Sequence, residues 1–312
     1  MRVSRHTMGR RRQGAGMMSA LALLAGCAAQ PSPNPRVEVQ APAIAPPLRV
    51  MTFNIRYDTP NDGPNAWPHR RDRVAGLIRY HEADAIGVQE ALAHMLDELD
   101  TRLPGFARVG VGRTDGTTGG EFSAILYRTA RLELLESGTF WLSPTPEVVG
   151  SKGWDADYER IATWARFRDR ATGCRHLHLN THFDHVGVVA RRESALLIRQ
   201  RLGALAGGLP VVVTGDLNAD PASEPYRILT TDSAGLAGPV LRDAFAASRE
   251  GHYGPTSTWN AFRAIEPGRR IDYVLASTDV GVGKHAILPD RWDDRFPSDH
   301  LPVLASLEIR CR

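Results

Sequence analysis

Acidic and amide side chains directly follow apolar strands in this chain. The clearest case is the stretch Val211–Asn218, in which three consecutive valines predict a buried strand that Gly215 interrupts. Asp216 and Asn218 then follow, two residues apart. A carboxylate and an amide at the end of a buried strand reach the edge of a sheet, where water and a ligand can meet them. Both residue types also favour turns, so this pair alone leaves a purely structural interpretation open.

Similar polar residues recur at the ends of other apolar runs. They are Asn54, Glu90, His182, Asp299 and His300, and Asp272 lies inside a further apolar strand. Burying a carboxylate costs free energy unless it is paired, hydrogen-bonded or bound to a metal. Several strands that bring carboxylates to one edge therefore indicate a metal-assisted site. Carboxylate and amide oxygens suit Mg²⁺ or Mn²⁺ and do not suit zinc.

A zinc site is the alternative for this chemistry. His176, His178 and His182 share one face of a predicted strand, so they could together offer imidazole ligands to zinc. That interpretation would leave the carboxylates at the other strand ends without a role. We therefore favour the oxygen-ligated ion.

These residues need a scaffold of alternating strands and helices. Apolar runs predict strands over residues 48–56, 84–90, 121–128, 131–142, 161–170, 176–182, 211–216, 270–276 and 301–309. Apolar residues at helical spacing predict helices over residues 68–81, 92–103 and 188–202. The strand–helix–strand–helix opening indicates a layered α/β domain rather than a helical bundle.

One long polar segment, Ser143–Arg160, separates two of these strands and is typical of a functional loop. Trp154 in this segment is our candidate for a wall of the substrate cleft, and Arg160 at its end is a second candidate substrate ligand. Asp184 and His185 lie close behind His182 in the sequence. We assign them to a loop or to the start of a helix.

Six short motifs occur in order along the chain. They are Thr-Phe-Asn54-Ile, Gln-Glu90, Thr-His182-Phe-Asp, Gly-Asp216-Leu-Asn218, Arg-Ile-Asp272-Tyr and Ser-Asp299-His300-x-Pro. Over residues 48–310 their order and spacing resemble the endonuclease/exonuclease/phosphatase superfamily, and the stretches 140–146, 152–155 and 181–187 resemble a bacterial exported subgroup of it. The resemblance implies an α/β fold with four layers, in which two mixed β-sheets pack face to face and helices cover the outer faces.

The resemblance also implies roles for the motif residues. Glu90, together with Asn54 and Asp299, would hold Mg²⁺ (or Mn²⁺) on a phosphate oxygen. Asp216, positioned by Asn218, would activate or orient the attacking water. Such roles agree with phosphoryl transfer, in which a protein mostly positions groups and neutralises charge.

The remaining motif residues would act on the phosphoryl oxygens. His300, oriented by Asp272, and His182 would donate hydrogen bonds or protons to them, a task that suits imidazole because it changes charge near neutral pH. Together these roles predict a metal-dependent phosphoesterase that hydrolyses a phosphodiester by in-line attack of water. Tyr273 stands where inositol phosphatases of the superfamily carry arginine, which argues against that activity.

Other functions remain open at this point. A phosphomonoesterase acting on a sugar or inositol phosphate, a nuclease, and a non-catalytic envelope binding protein would all fit the same fold. Residues 1–26 hold five arginines and no acid, so the rest of the chain has 33 basic and 35 acidic residues. A body without basic excess argues against a dedicated nucleic-acid binder.

The N-terminus is typical of a bacterial lipoprotein. Residues 1–26 have a basic start and a short apolar run, and Leu24-Ala25-Gly26-Cys27 resembles a lipoprotein cleavage box. We expect Cys27 to be lipidated, residues 27–47 to form a Pro/Ala-rich tether, and residues 48–312 to form the catalytic domain. An ordinary secretory signal is the alternative.

This interpretation predicts an exported monomer. It would be anchored by its lipid to the outer membrane, at the periplasmic face of the envelope, and would act on a phosphate ester of a small molecule, a lipid head group or a nucleic acid. Cys174 and Cys311 could pair in an oxidising periplasm or could both be free thiols, and sequence alone does not decide between these states.

Overall fold

The computed structural model describes residues 45–232, 235 and 237–311, all of which belong to one compact unit, residues 44–312. The predicted signal peptide, Cys27 and all of the predicted tether except residues 45–47 lie outside the described residues. Within the described ranges, no helix is both long enough and apolar enough to cross a membrane.

The described strands form two mixed sheets. The first has seven strands in the spatial order β10 (His252–Tyr253), β12 (Gly281–Ile287), β13 (Val303–Glu308), β1 (Leu48–Asn54), β2 (Ala85–Gln89), β4 (Ile125–Arg128) and β3 (Phe106–Val109). The second has six, in the order β5 (Leu132–Trp141), β6 (Ile161–Asp169), β7 (Arg175–His182), β8 (Val211–Asp216), β11 (Asp272–Ser277) and β9 (Leu241–Asp243). The pairs β1–β2 and β7–β8 are parallel, and their antiparallel neighbours make both sheets mixed.

Helices cover the outer faces of this pair of sheets. They are α1 (Trp67–Tyr80), α2 (Ala93–Arg102), α3 (Val188–Ala206), α4 (Glu224–Thr230) and α5 (Ala244–Ala247), and a 3₁₀ helix, Pro60–Asn65, precedes α1. α1 and α2 pack on the first sheet, whereas α3 and α4 pack on the second. This arrangement confirms the four-layered sandwich predicted from the sequence.

The central strands are apolar on both faces because both faces are covered. In β1, Val50 belongs to the core between the two sheets, whereas Met51 and Phe53 belong to the core beneath α1 and α2. All three are fully buried. A strand buried on both faces loses the alternation of a half-exposed strand, which explains the nearly continuous apolar run at residues 48–55.

One predicted strand begins later in the structure, and four observed strands were not predicted. β4 begins at Ile125, four residues later than expected, because Phe122 makes isolated bridges to Ala91 and Gly112 instead of joining the ladder. The four unpredicted strands are β3, β9, β10 and β12. In β12, glycines and a lysine break the apolar pattern. A register shift between Val282 and His285 also interrupts its pairing with β13.

Cys174 and Cys311 form a disulfide across 137 residues of sequence. The bond ties the C-terminal tail to the turn between β6 and β7. Of the two states that the sequence left open, the paired state is the one in the structure.

Candidate active site

Asp216 lies at the centre of the edge where the motif residues meet. It ends β8, and its register partners are His182 on the parallel neighbour β7 and Asp272 on the antiparallel neighbour β11. Asn54 reaches the same point from β1 of the opposite sheet and donates through Nδ2 to Asp216 Oδ2 over 3.0 Å. The two sheets, packed face to face, thus bring together residues that lie 162 positions apart in the sequence.

Both carboxylate oxygens of Asp216 have donors. The backbone N–H of Asn218 donates to Oδ1 over 2.9 Å, and Asn54 donates to Oδ2. His182 Nε2 and His300 Nε2 lie 3.5 and 3.7 Å from Oδ2. Burial and the nearby charge of Asp272 raise the pKa of Asp216 to about 7, although the cationic His300 opposes the shift. A carboxyl that titrates near neutral pH can accept a proton there.

His300 is held by Asp272. Its Nδ1 lies 2.9 Å from Asp272 Oδ2, and the ring packs edge-on against Trp259 with the ring centroids 4.7 Å apart. Burial alone would lower the pKa of His300, but Asp272 and Asp216 outweigh it and raise the pKa to about 10. His300 is therefore a buried cation that can donate from Nε2.

His182 differs from His300 in its charge, because its imidazole is neutral. Its Nε2 lies 3.1 Å from Asn218 Nδ2. Burial and the neighbouring Arg160 and Arg113 guanidinium groups hold the pKa of His182 well below its usual value. The site therefore places one neutral and one charged imidazole on the two sides of the Asp216 carboxylate.

Three residues at this edge adopt left-handed backbone conformations. Arg56, Glu90 and Asn218 have φ values of 53°, 60° and 45°. Each lies one or two residues beyond the end of β1, β2 or β8. Such conformations cost free energy in residues other than glycine, and they cluster at functional sites where the surrounding structure holds them in place.

Glu90 and Asp299 form an acidic group beside Asp216. Glu90 accepts from Asn54 Nδ2 over 2.9 Å and from the Tyr57 N–H over 3.2 Å. Arg56 lies 3.8 Å from Glu90 and 3.9 Å from Asp299. Burial and the negative charge of Glu90 raise the pKa of Asp299 to about 6, although the positive charges of His300, Arg56 and Arg70 oppose the shift.

The donor set at this edge fits a hard divalent cation. Glu90, Asp216 and Asp299 bring three carboxylates to this edge, and their ligand atoms are all oxygens. Asp272 Oδ1 is buried and has no hydrogen-bond partner among the described residues. A cation at this edge would relieve the mutual repulsion of these carboxylates.

Two overlapping groups could hold such a cation. The first group consists of Asp216, Asp272 and His300. Its donor atoms all lie within 4.8 Å of one another, close enough to bind one metal ion. In this group, His300 Nδ1 is already hydrogen-bonded to Asp272. The second group combines Asp216 with Glu90 and Asp299, whose oxygens we favour as the metal ligands. Asn54 turns its Nδ2 toward Glu90 and accepts from the Arg56 N–H through Oδ1, an orientation that aligns the two carboxylates.

A cavity of about 410 Å³ opens over these residues, and we call it the catalytic cavity. It is lined by Arg56, Tyr57, Glu90, Arg113, Glu121, Tyr158, Arg160, His182, His185, Asp216, Asn218, Trp259, Asp299 and His300. Of the predicted site residues, only Asn54, Asp272 and Trp154 are missing from this lining. Asn54 and Asp272 lie directly behind it, bonded to Asp216 and His300.

The structure does not place Trp154 in the catalytic cavity. Trp154 has a φ of 55° and lines a different cavity with Ser143, Glu193 and Leu197, where its loop meets α3. Trp259 provides the indole of the catalytic cavity instead. The prediction missed this because the direction of a loop side chain depends on the surface that covers the loop.

Arg160 does reach the catalytic cavity, where Asp184 holds it. Asp184 Oδ2 lies 3.3 Å from Arg160 Nε, and Asp184 Oδ1 accepts from the backbone N–H groups of Val186 and Gly187 before α3. This confirms the loop and helix-start assignment of Asp184. Nη1 of Arg160 is buried and has no hydrogen-bond partner among the described residues.

Sequence reasoning missed part of the cavity wall. Glu121 pairs with Arg113 over 2.7 Å and lies 4.0 Å from His182 Nδ1. His185 stacks on Tyr158 with ring centroids 5.9 Å apart. Glu121 begins a stretch predicted as a strand, so the search for carboxylates at strand ends could have included it, whereas nothing local marks Arg113 or Tyr158.

Comparisons with solved structures find proteins of similar fold and sequence. An endonuclease/exonuclease/phosphatase from Bacteroides vulgatus is 43% identical, with a TM-score of 0.80 over 84% of this chain and 99% of that one. A mannosyl-6-phosphatase from Bacteroides thetaiotaomicron is 35% identical, with a TM-score of 0.79 over 84% of this chain and 100% of that one.

Sequence comparison adds a more distant relative and a family. Nocturnin of Drosophila melanogaster is 22% identical over 315 residues, which cover 86% of this chain and 48% of the fly protein. The chain therefore matches only about half the length of this relative. Residues 51–300 match the model of the Endonuclease/Exonuclease/phosphatase family, whose members are phosphoric ester hydrolases that typically use a divalent metal. Since this match spans most of the 312 residues, the chain belongs to the Endonuclease/Exonuclease/phosphatase family.

Proposed function

We propose that this protein is a divalent-metal-dependent hydrolase of small phosphate esters. The observation that carries the proposal is the convergence of Asp216, His300 and the Glu90–Asp299 pair on one cavity. A base, a cationic donor and a group of hard oxygen ligands are the parts that phosphoryl transfer to water requires.

The first candidate substrate is a sugar phosphomonoester. Arg56, Arg113 and Arg160 line the catalytic cavity, and guanidinium groups suit the oxygens of a phosphate dianion. The buried, unpartnered Nη1 of Arg160 is available for such an oxygen. Similarity to the mannosyl-6-phosphatase supports the same candidate. The phosphodiester expected from the sequence is the competing substrate class.

In the proposed reaction, water attacks phosphorus and the bond from phosphorus to the alcohol oxygen breaks. Asp216 takes a proton from the water, and its two oxygens are held for this by the Asn218 N–H and by Asn54 Nδ2. His300 donates to a phosphoryl oxygen from Nε2, and Asp272 fixes its ring. The leaving alcohol oxygen takes up a proton from solvent, so that the products are inorganic phosphate and the free alcohol.

The metal would be held by Glu90 and Asp299, with Asn54 aligning Glu90. A bound divalent ion would neutralise charge on the phosphate oxygens. His182 remains a proposed hydrogen-bond donor to those oxygens, and its neutral state avoids repulsion with the arginines of the cavity.

Hydrolysis of three compounds tests the proposal. They are p-nitrophenyl phosphate, bis-p-nitrophenyl phosphate and mannose 6-phosphate, each incubated with Mg²⁺, with Mn²⁺ and with EDTA. We expect turnover with Mg²⁺ or Mn²⁺, loss of turnover in EDTA and recovery when the ion is restored. The absence of metal-dependent turnover for all three would favour the non-catalytic binding protein, and faster hydrolysis of the diester would favour a phosphodiesterase.

The protein is also proposed to be exported and lipid-anchored through Cys27. The disulfide between Cys174 and Cys311 supports export, since stable disulfides form mainly in oxidising compartments. That the protein is a monomer stays a prediction.

A further inference from the structure

A second cavity, which we call the outer lobe, lies next to the catalytic cavity. It has a volume of about 400 Å³, close to the 410 Å³ of its neighbour. The two cavities share His185 and Asn218 as lining residues. A substrate whose phosphate lies at Asp216 would therefore meet the outer lobe just beyond Asn218.

Arg269 also connects the two cavities. It lines the outer lobe, and its guanidinium carbon lies 5.9 Å from the ring centroid of Trp259, which lines the catalytic cavity. Arg269 is exposed, and no ion pair to it is found among the described residues. Its donors are free to meet a ligand that extends across both cavities.

The lining of the outer lobe mixes hydrogen-bond donors with acceptors. Arg191 donates from Nη1 to the Asp184 carbonyl, and Arg192 pairs with Glu224 over 3.0 Å. Asp220 adds a second carboxylate. Three guanidinium groups and two carboxylates line the lobe, and together they match hydroxyl groups, which both donate and accept.

We propose that the outer lobe is a subsite for the alcohol part of the substrate, and that this alcohol is a polyhydroxyl chain longer than one sugar ring. The substrate class is then a phosphorylated oligosaccharide. This inference rests on the proposed phosphatase function and deepens it. The charge balance of the body, with 33 basic and 35 acidic residues beyond residue 26, agrees with a substrate that carries few charges.

Val188→Trp tests the subsite by filling it. Val188 lines the outer lobe at the start of α3, is 67% exposed, and is not among the residues that line the catalytic cavity. The matched control is Val189→Trp, because Val189 is the next residue, is 49% exposed and does not line the lobe. The probes are mannose 6-phosphate and a mannotriose that carries the same phosphate at its terminal sugar.

We expect the wild-type protein to show a higher kcat/KM for the phosphorylated mannotriose than for mannose 6-phosphate. Val188→Trp should lower kcat/KM for the longer probe about tenfold, the effect of one lost subsite contact of moderate strength, and leave the short probe unchanged. Val189→Trp should change neither value. Equal wild-type values for the two probes, or equal effects of the two tryptophans, would overturn the subsite.

Two further measurements separate the subsite from the proposed function. A 5′-phosphorylated oligonucleotide serves as a third probe, and a selective loss on this probe in Val188→Trp would overturn the oligosaccharide class. If no probe is hydrolysed, the proposed function fails, and calorimetric binding of the phosphorylated mannotriose still tests the lobe. Weaker binding to Val188→Trp than to Val189→Trp would support the subsite, and equal binding would refute it.

Discussion

At the scale of residues, the environment of Asp216 decides its chemistry. A strand-terminal aspartate in water would be ionised at neutral pH, but burial beside Asp272 raises its pKa to about 7. The Asn218 N–H and the Asn54 side chain hold both of its oxygens. The same residue type at an exposed turn would have neither property.

Asp216→Asn tests this assignment. The substitution keeps the shape of the side chain but removes its basicity, so we expect kcat to fall roughly a thousandfold. Asp97→Asn is the control, because Asp97 is exposed on α2 and pairs with Arg108 on the protein surface. Steady-state assays of the two variants, with circular dichroism to check folding, make the comparison. Activity retained by folded Asp216→Asn would refute its role as the base.

At the scale of elements, β7 carries polar side chains into the space between the sheets. Asn180 accepts from Gln89 Nε2 over 2.7 Å and donates to the backbone carbonyls of Val88 and Ala124, which belong to the opposite sheet. A Cβ at residue 87 would collide with Asn180, so the close approach requires Gly87. These bonds hold β2 against β7 one or two residues from Glu90 and His182.

The histidines of β7 do not form a metal site in the described structure. His176 and His178 are fully buried. His178 Nε2 is hydrogen-bonded to Thr214 Oγ1 over 2.9 Å. Neither ring nitrogen of His176 has a hydrogen-bond partner among the described residues. Burial lowers the pKa of His176 to about 4 and that of His178 to about 3. The zinc alternative therefore loses its support, because two of its three proposed ligands lie inside the core.

His176→Leu should make the protein less sensitive to acid. Above a pH of about 6.5, the pKa of histidine in an unfolded chain, His176 is neutral in both the folded and the unfolded protein. In that range its protonation does not change the free energy of unfolding. As the pH falls from there toward about 4, the unfolded chain binds a proton that the folded protein excludes, so His176 lowers stability by up to about 1.4 kcal/mol per pH unit.

Urea denaturation at pH 7.5 and pH 5 measures this effect. His176→Leu should lose less stability between the two pH values than the wild type, and His69→Leu, an exposed histidine on α1, should behave like the wild type. The same pH dependence in all three proteins would contradict the role of His176.

At the scale of the whole molecule, the disulfide joins the end of the chain to its middle. It closes 137 residues of sequence into one loop and anchors the tail that follows β13 beside the β6–β7 turn. A cross-link over so long a loop limits the freedom of the unfolded chain strongly.

Cys311→Ala removes this cross-link. We expect a loss of roughly 2–5 kcal/mol in the free energy of unfolding, and a lower Tm, because the unfolded state regains its freedom. The measurement is thermal unfolding with and without a reductant. The reductant should lower the Tm of the wild type toward that of the variant and leave the variant unchanged. If the reductant cleaves the disulfide and the Tm of the wild type does not change, the disulfide does not have this stabilising role.

Cys27→Ala tests the proposed anchor. Without the lipidated cysteine, the catalytic domain should leave the membrane fraction, since several acyl chains on one residue are what would hold it there. Fractionation followed by immunoblotting makes the measurement, and Cys311→Ala, which retains Cys27, is the control. A Cys27→Ala protein that stays with the membrane would rule out the lipoprotein assignment.

Much of the fold and most residues of the candidate site could be predicted from local patterns in the sequence. The apolar run of β1 and the helical spacing of α1 predict their elements because burial acts residue by residue. Asp216 and Asn218 alone would also fit a turn, and they were recognisable because similar polar residues end several other apolar runs. β12 escaped prediction because its glycines and its register shift leave no regular pattern.

The sequence by itself thus determined the layered fold, the order of the motifs and the residues that end the central strands. Tertiary structure alone decided that Asn54 joins Glu90 to Asp216, that Trp259 rather than Trp154 lines the catalytic cavity, and that Cys174 meets Cys311. The reason is physical. Strand ends are encoded by neighbours along the chain, whereas sheet order, loop direction and the pKa of a buried group depend on residues that only long-range packing brings together.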